Sequence, residues 1–299
     1  MVKKTGYPKQ TPLLAQTRQS LREFGLRARK GLGQHYLIDG GVLKLILSAA
    51  ELAPDDIVIE VGPGLGVLTR ELVRRAGWVV AIELDDKLAV LLKEMLADFN
   101  NFTIINEDVL KVDPATLLEE LNEKLPSSIT NPLSYKVVAN LPYYITSPVL
   151  RHFLEARIKP KIIVIMVQKE VAKAIVAEPG DMSILSVSVQ LYGKPKIMGY
   201  VPARSFYPAP KVDSVILRID LYPRPAVDVE TESFFKLVRA GFTAARKQIA
   251  NSLAQGLGLP KADVLSMLVK AGIDSRRRSE TLTIEEWGKL WREFAKIKH

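Results

Sequence analysis

Cysteine is absent from this chain of 299 residues, and its three histidines, His35, His152 and His299, lack the spacing of metal ligands. Disulfide bonds and thiolate metal sites are therefore excluded, and we predict no metal site. No apolar run approaches the roughly 18 residues of a membrane span, and the N-terminus lacks the apolar segment of a secretory signal. We expect a cytoplasmic protein that does not enter a membrane, although the basic N-terminus also leaves organelle targeting open.

Acidic residues are scarce at the two ends of the chain. The net charge is +9; residues 1–35 carry eight Lys and Arg against one Glu, and residues 233–299 carry thirteen against six acids. The middle of the chain must then be net negative. This distribution predicts a polyanionic partner that binds the ends of the chain, while two solvated basic tails are the alternative. Aromatic residues are few beside the basic segments, which disfavours base stacking along them.

Buried strands alternate with helices through the first two thirds of the chain. The predicted strands are residues 57–61, 78–82, 102–105, 136–139, 161–167, 195–201 and 214–220. Successive buried strands joined by helices predict a parallel sheet covered on both faces. Asp39 and Ser147 are predicted to cap the helices that follow them. We expect three parts: a basic arm over 1–30, an α/β domain over 31–222, and a helical domain over 226–299.

A glycine turn joins the first of these strands to a helix. Gly62, Gly64 and Gly66 permit positive φ and a close backbone approach to a ligand. Their spacing departs from the Gly-x-Gly-x-x-Gly of dinucleotide folds, and Pro63 removes one N–H donor. The turn therefore suits a cofactor without phosphates, such as S-adenosylmethionine. A purely structural turn is the alternative.

Acidic residues mark the ends of three consecutive predicted strands, at Glu60, Glu83 and Asp108. Ligands of parallel α/β sheets bind at the carboxyl ends of the strands, so we expect these side chains to share one site. A carboxylate at Glu83 can accept both hydroxyls of a ribose, and Asp108 can accept from an adenine amino group.

The segment Asn140-Leu141-Pro142-Tyr143 directly follows the strand at 136–139. The amide carbonyl of an Asn can accept one hydrogen of an exocyclic amine, and a neighbouring backbone carbonyl can accept the other. The tyrosine offers a flat face on which a base can stack. The segment therefore predicts an amine-binding site, and an ordinary strand-to-helix turn is the alternative.

Together these motifs resemble the ribosomal RNA adenine dimethyltransferases, over about residues 30–285. The similar segments are Gly33-Gln34-His35-Tyr36-Leu37, Glu60 to Gly66, Ile82-Glu83-Leu84-Asp85, Asn140 to Tyr143, and Arg204 to Ser214. The resemblance implies a Rossmann-like S-adenosylmethionine-dependent methyltransferase sheet with a small all-α C-terminal domain. It also implies dimethylation of adenine N6 at two adjacent adenosines near the 3′ end of small-subunit rRNA, with a role in small-subunit biogenesis.

The resemblance further implies roles for individual residues. S-adenosylmethionine would be bound by Gln34, His35, Leu37, Glu60, Gly62, Gly64, Gly66, Glu83, Leu84, Asp108, Val109 and Asn140. Asn140 and the Leu141 carbonyl would hold the target amine, while Tyr143 and Phe206 would pack against the flipped adenine. RNA phosphates would be bound by Arg246, Lys247, Arg276, Arg277 and Arg278. The implied partner is small-subunit rRNA or a pre-30S particle, bound by a monomer.

Some positions depart from the family pattern. His35 stands where Asn is usual, and Tyr36 stands where Phe is usual. Ala245-Arg246-Lys247 has lost one Arg of a typical Arg-Arg-Lys, which puts one RNA contact in doubt. The segment 114–134 is long, and no role is assigned to it.

Three other functions stay open on the sequence alone. The first is an enzyme that methylates large-subunit rRNA and confers macrolide resistance, which the 206–214 loop and the long C-terminal tail disfavour. The second is a ribosome-assembly factor whose binding role outweighs its catalysis. The third is an NAD-binding dehydrogenase, which is disfavoured by Val67 where a dinucleotide fold needs glycine.

Overall fold

The computed structural model of the protein describes residues 12–29, 31, 33–244 and 246–297. The strands are β1 (Tyr36–Leu37), β2 (Ile57–Val61), β3 (Trp78–Ile82), β4 (Phe102–Ile105), β5 (Tyr135–Asn140), β6 (Ile162–Gln168), β7 (Gly193–Val201), β8 (Phe206–Tyr207) and β9 (Ser214–Leu221). Residues 1–11 and 30 of the predicted basic arm lie outside the described residues, as does Ala245.

The helices follow the strands in alternation up to β6 and then dominate the C-terminal part. They are α1 (Leu13–Glu23), α2 (Gly40–Ala50), α3 (Thr69–Val73), α4 (Asp86–Met95), α5 (Pro114–Leu121), α6 (Thr146–Leu154), α7 (Lys169–Ile175), α8 (Ile184–Gln190), α9 (Thr231–Phe242), α10 (Ile249–Leu257), α11 (Lys261–Lys270) and α12 (Ile284–Ile297). Within the described ranges, no helix is both long and apolar enough to cross a membrane.

The main sheet has the strand order β4-β3-β2-β5-β6-β9-β7. Strands β2 to β6 pair in parallel, and β9 pairs antiparallel with β6 from Ile162↔Asp220 to Gln168↔Ser214. The predicted parallel sheet is thus confirmed for β2 to β6. Separately, β1 and β8 form a short antiparallel ladder in which Leu37 faces Phe206. The carboxyl ends of β3, β2 and β5 therefore lie side by side at one edge.

Continuous apolar runs account for the accuracy of the strand predictions. Every residue of β2 and β3 is buried, and both strands have the predicted bounds. A strand covered by helices on both faces needs apolar side chains at every position, so the run itself marks the element. Apolar residues of α2, including Ile46 and Ala50, pack in one cluster with Val58 and Val138 of the sheet.

One of the two predicted helix caps is confirmed and one is wrong. Asp39 accepts hydrogen bonds from Gly41 N and Val42 N and caps α2. Ser147 instead lies inside α6, which begins at Thr146 without a side-chain cap. The reason is local, because a 3₁₀ turn over Tyr143–Ile145 leads directly into α6 and replaces the cap.

The chain forms two compact units, and each unit consists of two separate stretches of the sequence. One comprises the residues up to Ala172 together with Lys196–Leu221, and the other comprises Lys173–Pro195 and the residues from Tyr222 onward. Residues 173–195, which the sequence prediction included in the α/β domain over 31–222, hold α8 and group with the C-terminal helices.

A buried lysine secures the end of the sheet opposite the glycine turn. Lys136 Nζ, at the start of β5, lies 2.7 Å from Asp56 Oδ2 and donates to the carbonyls of Glu51 at 2.6 Å and Ala50 at 3.2 Å. These two carbonyls belong to the C-terminal end of α2, where helical carbonyls lack intrahelical partners. One ammonium group thus joins α2, β5 and the loop before β2.

Lys136→Met should destabilise the protein strongly, because it removes the cation paired with the half-buried Asp56 carboxylate and leaves two helix carbonyls without their donor. We expect a loss of about 3–5 kcal/mol in the free energy of unfolding. The exposed Lys93 of α4 supplies a matched control, for which Lys93→Met should cost less than about 0.5 kcal/mol. Urea denaturation at neutral pH measures both, and equal losses would contradict the assigned role of Lys136.

Candidate active site

A cavity of about 320 Å³ opens at the carboxyl ends of β2, β3 and β5. Most of the residues predicted to bind the cofactor or the target amine line it. These are Gln34, His35, Leu37, Glu60, Gly62, Gly64, Glu83, Leu84, Asp108, Val109, Asn140, Leu141 and Tyr143. Gly66 and Phe206 do not line the cavity. The structure therefore brings together residues from five separate stretches of the sequence.

The glycine turn is shaped by three positive φ angles, at Gly62 (65°), Gly64 (58°) and Gly66 (71°). A Cβ at Gly64 would lie 3.3 Å from the Tyr36 ring, so this glycine keeps the turn close to the cavity wall. A Cβ at Gly66 would lie 2.6 Å from Leu92 Cδ2 of α4. Gly66 thus serves the packing beneath the turn, while Gly62 and Gly64 present backbone to the cavity.

Glu83 is held by backbone amides directly after β3. Its Oε2 accepts from Gly64 N at 3.0 Å, and its Oε1 accepts from Asp85 N at 2.9 Å. Burial raises the pKa of Glu83, and these two hydrogen bonds oppose the rise. Each carboxylate oxygen keeps a second lone pair, so Glu83 can still accept from a pair of ribose hydroxyls.

Glu60 is the most deeply buried acid of the site. Burial raises the pKa of its carboxyl to about 8, so the group is protonated at neutral pH. Its Oε2 has no hydrogen-bond partner among the described residues. A neutral carboxyl that lines the cavity offers both a donor and an acceptor to a ligand.

Asp108 keeps one carboxylate oxygen free for a ligand, whereas the oxygen of the Gln34 amide is bonded within the protein. Asp108 follows β4 by three residues, and its Oδ1 accepts from Leu110 N at 3.0 Å, which leaves Oδ2 to a ligand. The Gln34 amide is engaged within the protein, because its Oε1 accepts from Arg29 N at 2.9 Å and from the Tyr36 hydroxyl at 3.0 Å. Gln34 therefore shapes the wall of the cavity.

Sequence reasoning missed Asp85, which organises the rim beside the glycine turn. This buried carboxylate caps α4 through Lys87 N, forms an ion pair with Arg29 at 3.3 Å, and lies 3.4 Å from Gln34 Nε2. The available signal was an acidic residue placed directly before a helix. Asp85 thereby fastens the segment that precedes β1 to the start of α4.

The Asn140 side chain is oriented by a residue far away in the sequence. Its Nδ2 donates to the His35 carbonyl at 3.1 Å. Because the amide nitrogen is used, Oδ1 is left as an acceptor on the cavity side of β5. The hydrogen bond to His35 thus leaves the amide oxygen, and not the amide nitrogen, available as a hydrogen-bonding group.

Tyr143 is fixed by contacts at both its ring and its hydroxyl. The ring stacks on His35 with centroids 6.0 Å apart and an interplanar angle of 25°. The hydroxyl lies 2.7 Å from the hydroxyl of Ser214, which is fully buried. Burial raises the pKa of Tyr143, so this hydroxyl stays protonated at neutral pH. His35 is held in turn, because its Nδ1 donates to the Pro208 carbonyl at 2.7 Å.

Phe206 was predicted to pack against the flipped adenine, but it lies in the core. It is 3% exposed, pairs with Leu37 across the β1–β8 ladder and packs in the core beneath the cavity wall. A ring buried in that cluster has no face left for a base. The loop that follows it reaches the site through Pro208 and Ser214, which hold His35 and Tyr143.

The predicted phosphate-binding cations lie on two neighbouring loops of the C-terminal unit. Ile249 N, at the start of α10, donates to the Arg277 carbonyl at 2.7 Å and so joins the loop before α10 to the loop after α11. Arg246 and Lys247 are exposed and form no ion pair with any described residue. Arg276 pairs with Asp274 at 3.1 Å, and Arg278 pairs with Glu280 at 3.5 Å, both at exposed positions.

Arg277 differs from its neighbours. Its guanidinium donates to both carboxylate oxygens of Glu286, at 2.5 and 3.0 Å, and to the Thr281 carbonyl. The Arg277 guanidinium lowers the pKa of Glu286, as expected for a bidentate charged pair. This side chain connects the 276–278 loop to α12, so its hydrogen bonds serve the fold of the unit.

Comparison with known proteins gives consistent matches. Residues 25–296 match the family model described as ribosomal RNA adenine dimethylase. A relative from Dehalococcoides mccartyi, named ribosomal RNA small subunit methyltransferase A, is 54% identical over 96% of this chain and 94% of its own length.

Two crystal structures are similar over most of the chain. A dimethyladenosine transferase from Plasmodium falciparum has a TM-score of 0.72 and 26% identity, over 88% of this chain and 98% of that one. The 23S rRNA methyltransferase ErmE has a TM-score of 0.66 and 30% identity, over 87% of this chain and 99% of that one. The predicted fold class and family resemblance are confirmed.

The paired hydroxyls of Tyr143 and Ser214 should be coupled energetically. Ser214→Ala leaves the tyrosine hydroxyl without its buried partner and should cost about 1–3 kcal/mol of stability. Adding Tyr143→Phe removes the orphaned hydroxyl, so the double variant should lose less than the two single losses combined. Urea denaturation of all four proteins measures the coupling, with the exposed Tyr200→Phe as control. Strictly additive losses would show that the two hydroxyls do not pair.

Proposed function

Since the chain belongs to the ribosomal RNA adenine dimethylase family, we propose that it dimethylates adenine N6 in small-subunit rRNA with S-adenosylmethionine as the methyl donor. The proposed targets are two adjacent adenosines near the 3′ end, and the proposed setting is small-subunit biogenesis in the cytoplasm. The observation that carries this proposal is the Asn140 amide, oriented by His35 so that its oxygen is left for an amine, beside the fixed ring of Tyr143.

The cavity has the features that S-adenosylmethionine requires. Gly62 and Gly64 present bare backbone to the cavity, and the neutral carboxyl of Glu60 lines it. Glu83 would accept from the ribose hydroxyls, and Asp108 Oδ2 would accept from the adenine amino group. Once bound, the cofactor supplies a methyl group on a positively charged sulfur.

Asn140 and Leu141 would prepare the target amine for transfer. The N6 lone pair of adenine is delocalised into the ring, which makes the amine a poor nucleophile. Before the first transfer, Asn140 Oδ1 and the Leu141 carbonyl would each accept one N6 hydrogen and so draw the nitrogen towards sp³ geometry. One N6 proton leaves after each transfer, so the monomethylated amine has a single hydrogen for these acceptors before the second transfer. They also hold the amine in one orientation, and positioning of this kind supplies much of the acceleration of a transfer reaction.

Tyr143 would receive the adenine after it leaves its stack in the RNA. Extrusion of a base costs a few kcal/mol, and stacking on an aromatic ring returns part of that cost. The contacts with His35 and Ser214 hold the ring before the base arrives, so little conformational entropy is lost on binding. Because Phe206 is buried, it would support the site from the core and would not offer a second ring on which the base stacks.

The C-terminal unit would bind the phosphates of the rRNA. Arg246, Lys247, Arg276 and Arg278 are exposed on adjacent loops, and the weak exposed pairs of the two arginines can be exchanged for phosphate. We keep the functional division into a basic arm (1–30), a catalytic domain (31–222) and a helical RNA-binding domain (226–299). We further propose that a monomer acts on a pre-30S particle.

Methylation of large-subunit rRNA is the second candidate, favoured by the similarity to ErmE at 30% identity. The 54% identity to a small-subunit enzyme argues for the first. Primer extension on both purified ribosomal subunits, after incubation with the protein and cofactor, distinguishes them. A catalytically inactive variant that still supports subunit assembly would reveal a dominant binding role.

Asn140→Ala should reduce methyl transfer by about 100-fold or more, because it removes an acceptor and the positioning that it provides. S-adenosylmethionine affinity should fall far less. Mass spectrometry of rRNA fragments from unmethylated small subunits measures the first, and calorimetric titration measures the second. Asn131→Ala, at an exposed loop position, should transfer methyl groups like the wild type. Near-wild-type transfer by Asn140→Ala would refute the proposed site.

Neutralising Arg246 and Lys247 together, as Arg246→Gln and Lys247→Gln, should weaken rRNA binding and flatten its salt dependence. Each lost phosphate contact should reduce the slope of log K against log salt by about 0.7–0.9. Lys289→Gln together with Arg292→Gln, at two exposed positions on α12, serves as the charge-matched control. Arg277→Gln should instead lower stability, because its charge is paired with Glu286. An unchanged slope in the double variant would exclude these contacts.

A further inference from the structure

Large apolar side chains remain in contact with solvent at the mouth of the cavity. Leu84, Leu110 and Tyr144 all line it, yet they are 50%, 41% and 57% exposed. Apolar groups gathered at a cavity mouth indicate a surface that a ligand covers. Leu84 and Leu110 adjoin Glu83 and Val109 and so belong to the cofactor side. Tyr144 directly follows Tyr143 and so adjoins the residues that would hold the target adenine.

The Tyr144 ring is exposed, yet neighbouring residues hold it in place. One edge packs against Gly33, where an added Cβ would lie 3.4 Å from Cδ1 and 3.5 Å from Cε1. Gly33 has a φ of 59°, so glycine there permits both the loop conformation and the close approach of the ring. The 3₁₀ turn over Tyr143–Ile145 continues into α6 and fixes the backbone. Among the described residues, the Tyr144 hydroxyl has no hydrogen-bond partner.

The two consecutive tyrosines have different surroundings. Tyr143 is tied to Ser214 and stacked on His35 inside the cavity, whereas Tyr144 stands at the rim with much of its ring open. When a target adenosine leaves its stack, the neighbouring nucleotide loses a stacking partner as well. An aromatic ring one residue beyond the target's own ring can replace that partner, because every base has a π-face.

We propose that Tyr144 stacks against the base of the nucleotide adjacent to the target adenosine. This inference rests on the proposed function and adds a second base-binding position to the same site. The ligand class is an unpaired nucleobase of the RNA strand. Sequence-tolerant stacking suits a site that must accept a neighbour in more than one modification state.

Unmethylated small ribosomal subunits, S-adenosylmethionine and the full chain provide the test. Tyr144→Ala should weaken binding of the subunits by roughly 5- to 100-fold, the loss typical of one stacked base. Tyr144→Phe should bind like the wild type, because the ring and not the hydroxyl makes the contact. S-adenosylmethionine affinity should stay within about twofold in both variants. Tyr200→Ala removes a ring that is 61% exposed and does not line the cavity, and it should change neither affinity.

Photo-crosslinking identifies the base directly. With p-benzoylphenylalanine in place of Tyr144 and no methyl donor present, primer extension on the unmethylated subunits should map the crosslink to a nucleotide next to a target adenosine. Crosslinks that map elsewhere, or subunit binding unchanged by Tyr144→Ala, would overturn the inference about Tyr144. The proposed function would still stand if the wild type methylates the subunits. A selective loss of cofactor affinity would also overturn it, since Tyr144 would then belong to the cofactor site. Failure of the wild type to methylate the subunits would overturn both proposals.

Discussion

The hydrogen bond from Asn140 Nδ2 to the His35 carbonyl joins two segments that are 105 residues apart in the sequence. One segment is the end of the central strand β5, and the other leads into β1. The amide oxygen is available to a ligand only because this bond uses the amide nitrogen. His35 is itself held by Pro208 and stacks on Tyr143, so the orientation of both side chains depends on the same residue. The loop after β8 thus acts on the site through His35 and Tyr143.

The cofactor side of the cavity depends on how its acids are buried. Glu60 and Glu83 lie close enough that the charge of Glu83 adds to the burial that raises the pKa of Glu60 to about 8. Burial raises the pKa of both groups, but Glu83 receives two backbone hydrogen bonds that oppose the rise. The glycine turn makes this possible, because Gly64 brings its amide to Glu83.

The arginines of the basic C-terminal unit are of two kinds: some are bonded within the fold, and others are exposed to solvent. The Arg277 guanidinium donates hydrogen bonds to Glu286 and Thr281, while the arginines on either side of it are exposed. Three consecutive arginines therefore differ in function, since the direction of each side chain is set by the loop between α11 and α12. A bidentate pair that is partly buried contributes to stability, whereas exposed pairs are weak and exchangeable.

Contiguous residues were enough to predict the elements whose signal is local. The fully apolar strands 57–61 and 78–82, the glycine turn, the Asp39 cap and the family resemblance all follow from contiguous residues. Burial on both faces imposes an apolar run, and the turn requires glycine, so the pattern and the structure share one cause. The tertiary structure alone decided which partner each side chain meets. It buried Phe206, paired Arg277 with Glu286, replaced the expected Ser147 cap by a 3₁₀ turn, and left Tyr144 at the rim beside Gly33. These outcomes depend on contacts between residues far apart in the sequence, and no local period or motif encodes such contacts.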